Sequence, residues 1–376
     1  MYTILSAIIF IGATLISLQW FFGIRKLVIL DKEKTEDFFE ISHKVSIIVA
    51  AKNEEKDIKE CLESLLNQLY KNMEIIIVND RSTDNTGPII DILATNNIIK
   101  AIHIKELPHG WLGKNHALYK GAQHATGDWL LFVDGDVIFT EHTVEKAVQY
   151  TERKRLDHLT LMPENLGGTF FYRTFHSYWS IIGIWNFIQL RHAGVGAFNF
   201  IKRTVYDEIG THAALPLAPD DDLKLGKKIV EKGFKQQLGF GTGLVRIQWY
   251  EDMLEVIRGL EKNLFAFMRY NLFVAFIFSC VIFLVHVLPF IGLLWANSVA
   301  LVFHIATIVV YVGIYLYNKH YINESFWHVC TVPIHGCIFI YCILRSAFKA
   351  ISGRGIEWRG TTYSLKELKR GAKKPK

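Results

Sequence analysis

The sequence predicts an α/β protein with a mainly parallel sheet, flanked by N-terminal and C-terminal transmembrane helices. Three observations carry this. Short β-branched runs alternate with amphipathic stretches between Lys44 and Arg155. A nearly uncharged apolar block occupies Ile4 to Phe22, and a larger one begins near Leu264.

The elements of the middle follow in order. Val45 to Ala51 is a β-branched run, the first strand. Glu55 to Leu69 sets Ile58, Leu62, Leu65, Leu66 and Leu69 on one helical face, the spacing of an amphipathic helix. Glu74 to Asn79 is apolar and β-rich. Asp84 to Ala94 reads as a helix opened by Ser and Thr caps. Ile99 to Ile104 and Trp129 to Val133 read as strands, Lys114 to Ala125 and Glu141 to Arg155 as helices. Alternation at this spacing implies a parallel sheet covered on both faces. Such sheets bind ligands beyond the carboxyl ends of their strands.

The apolar blocks match a bilayer. About 20 apolar residues span its core as a helix. Ile4 to Phe22 has no basic run before it and no small-x-small cleavage site after it, which argues for an anchor over a signal peptide. Arg25, Lys26, Lys32 and Lys34 follow it, so the positive-inside rule sets the next domain in the cytoplasm. Three further spans are expected, at about Leu272 to Leu294, Val299 to Tyr317 and Phe326 to Leu344. The tail from Arg345 is basic (Lys349, Arg354, Arg359, Lys366, Lys369, Arg370, Lys373, Lys374, Lys376) and should also lie inside. Three crossings conflict with that. Either one candidate is re-entrant or interfacial, or Leu264 to Tyr317 holds three passes. Phe170 to Leu190, with Arg173, His176, Tyr172, Phe175, Tyr178, Trp179 and Trp185, reads as an interfacial helix or a buried core helix. The expected layout is an anchor over 1–30, a catalytic domain over 44–263, a membrane bundle over 264–346 and a basic cytoplasmic tail over 347–376.

Composition supports the split. Of 376 residues, 51% are hydrophobic and 13% aromatic. The net charge of +6 sits largely beside the apolar blocks, so it marks membrane orientation. No nucleic-acid motif is present, and nucleic acid is not an expected partner. Cys61, Cys280, Cys330, Cys337 and Cys342 form no Cys-x-x-Cys pair and read as small hydrophobes in a reducing compartment.

Carboxylates cluster where strands end. The first strand ends in Ala51-Lys52-Asn53-Glu54, the second in Asn79-Asp80-Arg81-Ser82-Thr83-Asp84. Asp80 can accept a base imide N–H, with neighbours placed for a ribose. Asp134-Gly135-Asp136 sets two carboxylates just past an apolar strand. They repel each other, and a hard divalent cation, Mg²⁺ or Mn²⁺, relieves that repulsion and bridges to phosphate. Asp220-Asp221-Asp222 opens a helix after Pro219. One Asp suffices for the helix dipole; three suggest a site with a general base. Gly113-Lys114 at a helix start is not a P-loop, but suits a diphosphate as well as it suits an exposed lysine. Trp249-Tyr250 and Arg258 to Asn263 precede the membrane block, as parts closing the site or as interfacial anchors.

Five pieces in this order resemble the family 2 glycosyltransferases of GT-A fold: Ala51-Lys52-Asn53-Glu54, Asn79-Asp80-x-Ser82-x-Asp84, Gly113-Lys114-x-x-Ala117-Leu118, Asp134-x-Asp136 and Asp221-Asp222-Leu223-x-Leu225-Gly226. The resemblance covers about 44–263. It implies a nucleotide-sugar donor, a UDP-sugar first, with Ala51, Asn53, Glu54 and Asp80 at the nucleotide. Lys114 would lie near the diphosphate or sugar, Asp134 near ribose and metal, and Asp136 would be the principal metal ligand. Asp222 would be the base, although Asp221 stands where the family usually has Glu, so both are candidates. The layout is similar to the membrane-bound branch with the 4,4'-diaponeurosporenoate and hopanoid-associated glycosyltransferases, including the tail Ile356 to Tyr363. That implies a bacterial-type cell membrane, membrane lipids as partners and a lipophilic acceptor: a carotenoid, a hopanoid or a glycerolipid. The Gln-x-x-Arg-Trp motif of processive synthases is missing where it is expected, which argues against polymer synthesis.

The expected reaction is a single-displacement, inverting transfer. Its alternatives are a polyprenyl-phosphate glycosyltransferase or short polysaccharide synthase, and a non-catalytic membrane scaffold that keeps the fold. A glycosidase also uses two carboxylates but needs neither nucleotide loops nor a metal.

Overall fold

The computed structural model describes residues 2–34, 43–95, 99–268, 270–354, 356–358 and 361–363. Its packing divides into two compact units: Leu27–Leu166 with His192–Trp249, and Met1–Lys26 with Gly167–Arg191 and Tyr250–Lys376.

Along the chain, α1 (Tyr2–Ile24) precedes β1 (Val28–Ile29) and β2 (Val45–Ala51). Then come α2 (Ile58–Leu66), β3 (Met73–Asp80), α3 (Thr86–Leu93), β4 (Ile99–Ile104), α4 (Gly113–His124) and β5 (Trp129–Asp134). Next are β6 (Val137–Phe139), α5 (Thr143–Lys154), β7 (His158–Met162), β8 (Glu164–Asn165), α6 (Phe170–Leu190) and β9 (Asn199–Lys202). After these follow α7 (Arg203–Glu208), α8 (Asp221–Glu231), β10 (Gln236–Phe240) and β11 (Val245–Ile247).

Among the described residues eight strands form one sheet, in the order β1-β10-β7-β9-β5-β2-β3-β4. Neighbours are parallel except β9, which runs antiparallel to both β5 and β7. The period of two along each strand builds two cores. Val45, Ile47, Val49, Ile75, Ile77 and Leu131 join Ile58, Leu62 and Leu65 of α2 in one buried cluster. Ile48, Ile76, Val78, Leu130 and Phe132 join Ala117, Leu118 and Ala122 of α4 in the other. Each buried Ile, Leu or Val contributes about 1.5–3 kcal/mol. These layers hold the carboxyl ends of β2, β3 and β5 side by side.

Two local expectations change. The first helix begins at Ile58, because Glu54 to Asp57 form a turn tied to the loop after β3. The N-cap of α3 is Asn85, with no side-chain cap of its own. Instead the Asp84 carboxylate accepts the Thr86 N–H at 3.0 Å.

The other unit is helical. Besides α1 and α6 it contains α9 (Met253–Phe267), α10 (Leu272–Ile282), α11 (Leu288–Ile291), α12 (Ser298–Asn318) and α13 (Val332–Lys349). A π-turn over Phe283–Val287 joins α10 to α11. A hairpin of β12 (Ile356–Trp358) and β13 (Thr361–Tyr363) follows. Among the described residues, four stretches are long and apolar enough to cross a membrane: Tyr2–Ile24, Leu272–Leu294, Ser298–Asn318 and Phe326–Ser352. Among the described residues, 264–317 therefore holds two such helices rather than three. The helix α9 is amphipathic in sequence and is not among the four. Of the basic tail, Arg359, Lys366, Lys369, Arg370, Lys373, Lys374 and Lys376 lie outside the described residues.

Inside this unit several polar groups pair across helices. The His304 Nε2 lies 3.0 Å from the Tyr2 hydroxyl and 3.2 Å from the Ser6 hydroxyl, tying α1 to α12. The Ser346 hydroxyl donates to the Glu261 carbonyl at 2.7 Å, and the Glu261 carboxylate pairs with Arg345 and Lys349, tying α9 to α13.

Candidate active site

Two strand-end loops knit into one rim. Asn53 turns through φ 55° and Arg81 through φ 56°, left-handed conformations that Asn tolerates well and Arg poorly. The Asn53 N–H donates to the Ser82 hydroxyl at 3.0 Å, and the Asn53 side-chain oxygen accepts the Thr83 N–H at 2.8 Å. The Glu54 N–H donates to Thr86 Oγ1 at 2.8 Å. Glu54 itself is half-buried, whereas Ala51 is buried at the end of β2. The loop after β2 is thereby locked to the loop after β3.

Asp80 is buried at 3% exposure. Arg81 grips both its oxygens, Nε to Oδ1 at 2.7 Å and Nη2 to Oδ2 at 2.9 Å. The fork geometry suits a carboxylate. Gly113 opens α4 against this pair: any Cβ there would collide with Asp80 Oδ2 and lie 2.8 Å from Arg81 Nη2. Glycine is thus what lets Lys114 start a helix beside Asp80.

Lys114 reaches Asp134 across the sheet edge, with Nζ 2.6 Å from Oδ1. Burial opposes its charge, but Asp134, Asp221 and Asp222 outweigh burial and raise its pKa above the ordinary lysine value. Lys114, Asp134, Asp221, Asp222, His212 and Asn199 all line one cavity of about 10 Å³. Four of the sequence-predicted residues therefore converge. Ala51, Asn53, Glu54, Asp80 and Asp136 are not in that lining.

The adjacent aspartates are not equivalent. Asp221 is 4% exposed, with Oδ2 3.6 Å from His212 Nε2. His212 is held in turn by the Tyr206 hydroxyl, 2.8 Å from Nδ1. Burial favours the protonated acid at Asp221, yet Lys114 and His212 hold its pKa below the usual value. Asp222 is half-buried. There burial and the Asp221 charge push the pKa up to about 7, against Lys114 and the Leu223 N–H. An acid tuned near neutrality beside an ionised neighbour is the pattern of a general base.

Main chain seats these aspartates. A Cβ on Gly194 would collide with the Asp222 carbonyl, and one on Gly226 with the Ala193 carbonyl. The first two turns of α8 rest directly on the backbone of 193–194. Asn115 fixes the preceding loop by donating to the Leu215 carbonyl at 2.7 Å and the Ala218 carbonyl at 2.9 Å. Beneath, His158 pairs with Asn199, and Gln236 Nε2 lies 2.8 Å from His158 Nδ1 and 3.0 Å from the Gly226 carbonyl.

Asp134 and Asp136 offer hard oxygen donors two residues apart. Above Asp134 the wall is Gly196, where a Cβ would lie 2.5 Å from Oδ2 and 2.9 Å from Lys114 Nζ. That bare backbone leaves the carboxylate approachable. Among the described residues no three His, Cys, Asp or Glu gather as a ligand set. Asp134 and Asp136 could supply the one or two carboxylates by which an ion such as Mg²⁺ is commonly held.

Reading the sequence missed Arg81, Asn115, Gly194, Gly196, Asn199 and His212. Arg81 had a signal, because a buried strand-end Asp needs a counter-charge. The others are single residues brought in by long-range packing.

A mainly parallel α/β sheet with carboxylates at its strand ends is the architecture of the GT-A fold. Residues 46–220 match the family model described as Glycosyl transferase family 2. It is 31% identical over 145 residues to the 4,4'-diaponeurosporenoate glycosyltransferase of Staphylococcus haemolyticus (strain JCSC1435), covering 38% of this chain and 37% of that protein. It is 26% identical over 246 residues to the enzyme of that name from Staphylococcus aureus (strain MRSA252), covering 62% and 63%. The matches thus span between 37% and 63% of these curated relatives. Among solved structures it is similar to the mannosyltransferase PcManGT from Pyrobaculum calidifontis, in complex with GDP-Man and Mn²⁺. There the TM-score is 0.55 at 17% identity, covering 93% of this chain and 98% of that one. That likeness is one of fold.

Proposed function

We propose that the protein transfers a sugar from a nucleotide-sugar donor to the hydroxyl or carboxyl of a lipophilic acceptor, with inversion at the anomeric carbon. The observation that carries this reading is the convergence of Lys114, Asp134, Asp221 and Asp222 in one cleft of a family 2 domain. Asp222 takes the acceptor proton as the oxygen attacks C1. The new O–C1 bond forms while the C1–O bond to the diphosphate breaks, and the nucleoside diphosphate leaves with the electron pair. Lys114 lies where charge develops on that leaving group and stabilises it. Asp221, ionised and anchored by His212, keeps Asp222 basic near neutral pH. Asp136 and Asp134 would hold Mg²⁺ or Mn²⁺, which supplies charge neutralisation at the diphosphate. The loops of Ala51 to Glu54 and Asp80 to Thr86 form the nucleotide rim.

The lipophilic acceptor rests on the relatives named for 4,4'-diaponeurosporenoate and on the four apolar helices. The basic residues Arg25, Lys26, Lys32 and Lys34 support a cytoplasmic catalytic domain. UDP-sugars are the first donors to try, with GDP-sugars beside them.

The test is transfer by the purified full chain in lipid nanodiscs, with UDP- and GDP-sugars, Mg²⁺ or Mn²⁺, and mass spectrometry of the lipids. Metal-dependent labelling of a lipid, lost in Asp136→Ala and Asp222→Asn, is expected. Donor binding without transfer across a broad acceptor panel would instead make the chain a nucleotide-sugar-binding scaffold.

A further inference from the structure

Inside the helical unit, side-chain contacts fix the direction of each membrane-length helix. The Tyr2 hydroxyl lies 3.0 Å from His304. Phe10 meets Phe303 at 6.0 Å between ring centroids, and Phe21 meets Tyr317 at 4.6 Å. The helices α1 and α12 therefore run parallel, and Ile24 and Asn318 end at one level, the near level. A Cβ on Gly292 would lie 2.6 Å from His304 Nε2 and 2.9 Å from the Tyr2 hydroxyl. The end of α11 thus joins Tyr2 and the first half of α12 toward the opposite, far level, and α10 begins at the near one.

The fourth apolar stretch, Phe326–Ser352, has both ends at the near level. Its entry follows α12 directly. The Asn318 carbonyl accepts from the Tyr321 N–H at 2.9 Å and the Ile322 N–H at 3.1 Å, and Glu324 pairs with Arg173 of α6 at 3.2 Å. Its exit is fastened to α9, which ends at Phe267, just before α10 begins at Leu272. There the Ser346 hydroxyl accepts the Phe265 N–H at 3.1 Å, and Arg345 and Lys349 pair with Glu261. A crossing segment would instead hold its ends about 30 Å apart, on opposite faces. Between these ends the chain goes only part of the way. A Cβ on Gly336 would lie 3.0 Å from Val287 and 3.8 Å from Ile282, beside the middle of the α10–α11 span. Val332, where α13 starts, lines an apolar cavity of about 150 Å³ together with Trp20 and Tyr315. Those two sit about one turn from the near ends of α1 and α12.

We infer that Phe326–Ser352 is a re-entrant segment: it dips to about mid-bilayer from the side on which α1 ends, turns where α13 starts and returns to that side, so that its apolar outer face meets the lipid of one leaflet only. Charge follows the same path. From Phe326 to Leu344 there is no Asp, Glu, Lys or Arg, whereas Lys319 and Glu324 stand before the dip and Arg345 and Lys349 after it. Ionised side chains are costly at depth, and here they mark both mouths. The outer face carries Trp327 at 67% exposure, Phe348 at 73%, and the exposed Ile334 and Leu344 between them. The entry leg is a 3₁₀ turn over Phe326–Thr331 that buries His328 and Val329, and less regular backbone is tolerated at membrane depth where protein covers it. At the turn, α13 opens on Pro333, which has no N–H to leave unpaired. With α1, α10–α11 and α12 as the crossings among the described residues, the basic tail leaves on the side where α1 ends, and the conflict in the charge pattern disappears. The inference is independent of the proposed reaction.

The test uses the full chain with its cysteines replaced by alanine and single cysteines returned at exposed positions: Asn323→Cys, Ser352→Cys and Ser298→Cys. Sealed right-side-out and inverted membrane vesicles are treated with a membrane-impermeant maleimide. Asn323→Cys and Ser352→Cys are expected to react in the same vesicle preparation, and Ser298→Cys only in the other. Reaction of the first two from opposite sides would overturn the inference. Size-exclusion profile and far-ultraviolet dichroism check that each variant is folded, and His320→Cys with Ile351→Cys repeats the comparison at a second pair of positions. Depth separates a dip from a helix lying on the surface. Nitroxides at Ile334→Cys and Leu344→Cys in nanodiscs are compared for relaxation by oxygen and by a water-soluble nickel chelate. Ile334 is expected about 15 Å below the near headgroups, and Leu344 at a shallower level. Ile334 at headgroup depth on either face would overturn the dip. None of these results depends on whether sugar transfer occurs.

Discussion

The two units solve opposite solvent problems. In the sheet unit, apolar side chains fill two inner layers and carboxylates crowd the rim. In the helical unit Ile4, Ile8, Phe273 and Leu294 are exposed at 66%, 60%, 71% and 81%, while Ser6, His304, Thr307 and His335 are buried. Water drives the first arrangement. A hydrocarbon solvent would account for the second, because polar groups there must find partners within the protein. The difference teaches where charge can be expensive and useful. In the sheet unit burial and neighbouring charge shift the pKa values of a few acids, whereas in the helical unit polar contacts fasten helices together.

Several experiments would break or sharpen that contrast. The largest effect belongs to Asp222→Asn. Loss of the base should lower kcat for transfer about a thousandfold, with donor affinity by calorimetry little changed. Retained turnover would move the role to Asp221. Next is Gly194→Ala, whose Cβ collides with the Asp222 carbonyl. Displacing the base by about 1 Å should cost about a hundredfold in kcat, with a far-ultraviolet dichroism spectrum like that of the parent. A neutral outcome would show that α8 shifts freely.

The pH profile comes third. As the proposed base Asp222 would act ionised, and its pKa is raised to about 7, so kcat should rise with pH and reach half its plateau near neutrality. In His212→Gln, Asp221 loses the partner that favours its charge. Its weaker repulsion lets Asp222 ionise more readily, so the midpoint should move to lower pH while kcat falls about tenfold. An unmoved midpoint would reduce His212 to a packing residue. Smallest is Ser6→Ala, which removes one hydrogen bond to His304. Polar contacts of this kind in membranes are worth about 0.6 kcal/mol, so thermal unfolding in nanodiscs should shift by a few degrees or less. A large shift would mean that the helical unit leans on buried polar pairs as heavily as the sheet unit does.

Much of this was legible in the sequence because it is written locally. Strand runs such as Ile99 to Ile104 and Trp129 to Val133 are bounded by turns, and the rim acids follow them directly. The four apolar helices needed only length and hydropathy. Other features depend on contacts at a distance. The antiparallel β9 is four residues long, too short to carry a direction in its pattern. His212 and Asn115 look ordinary until folding sets one on Asp221 and the other under the Leu215–Ala218 loop. Phe170 to Leu190 was ambiguous because aromatic side chains suit an interface and a core alike. The α2 start moved because Glu54 is held by Thr86, thirty-two positions away.

The seating of α8 on the bare backbone of residues 193–194 has an evolutionary consequence. Where a reactive group is positioned by side-chain packing, each neighbouring substitution tends to move it. Here peptide groups carry the load, through Gly194 under Asp222 and Ala193 under Gly226. Lineages can therefore remodel the side chains that greet an incoming substrate while the proposed proton acceptor stays in register. Diversification of this scaffold toward new acceptors would leave those two glycines as its fixed points.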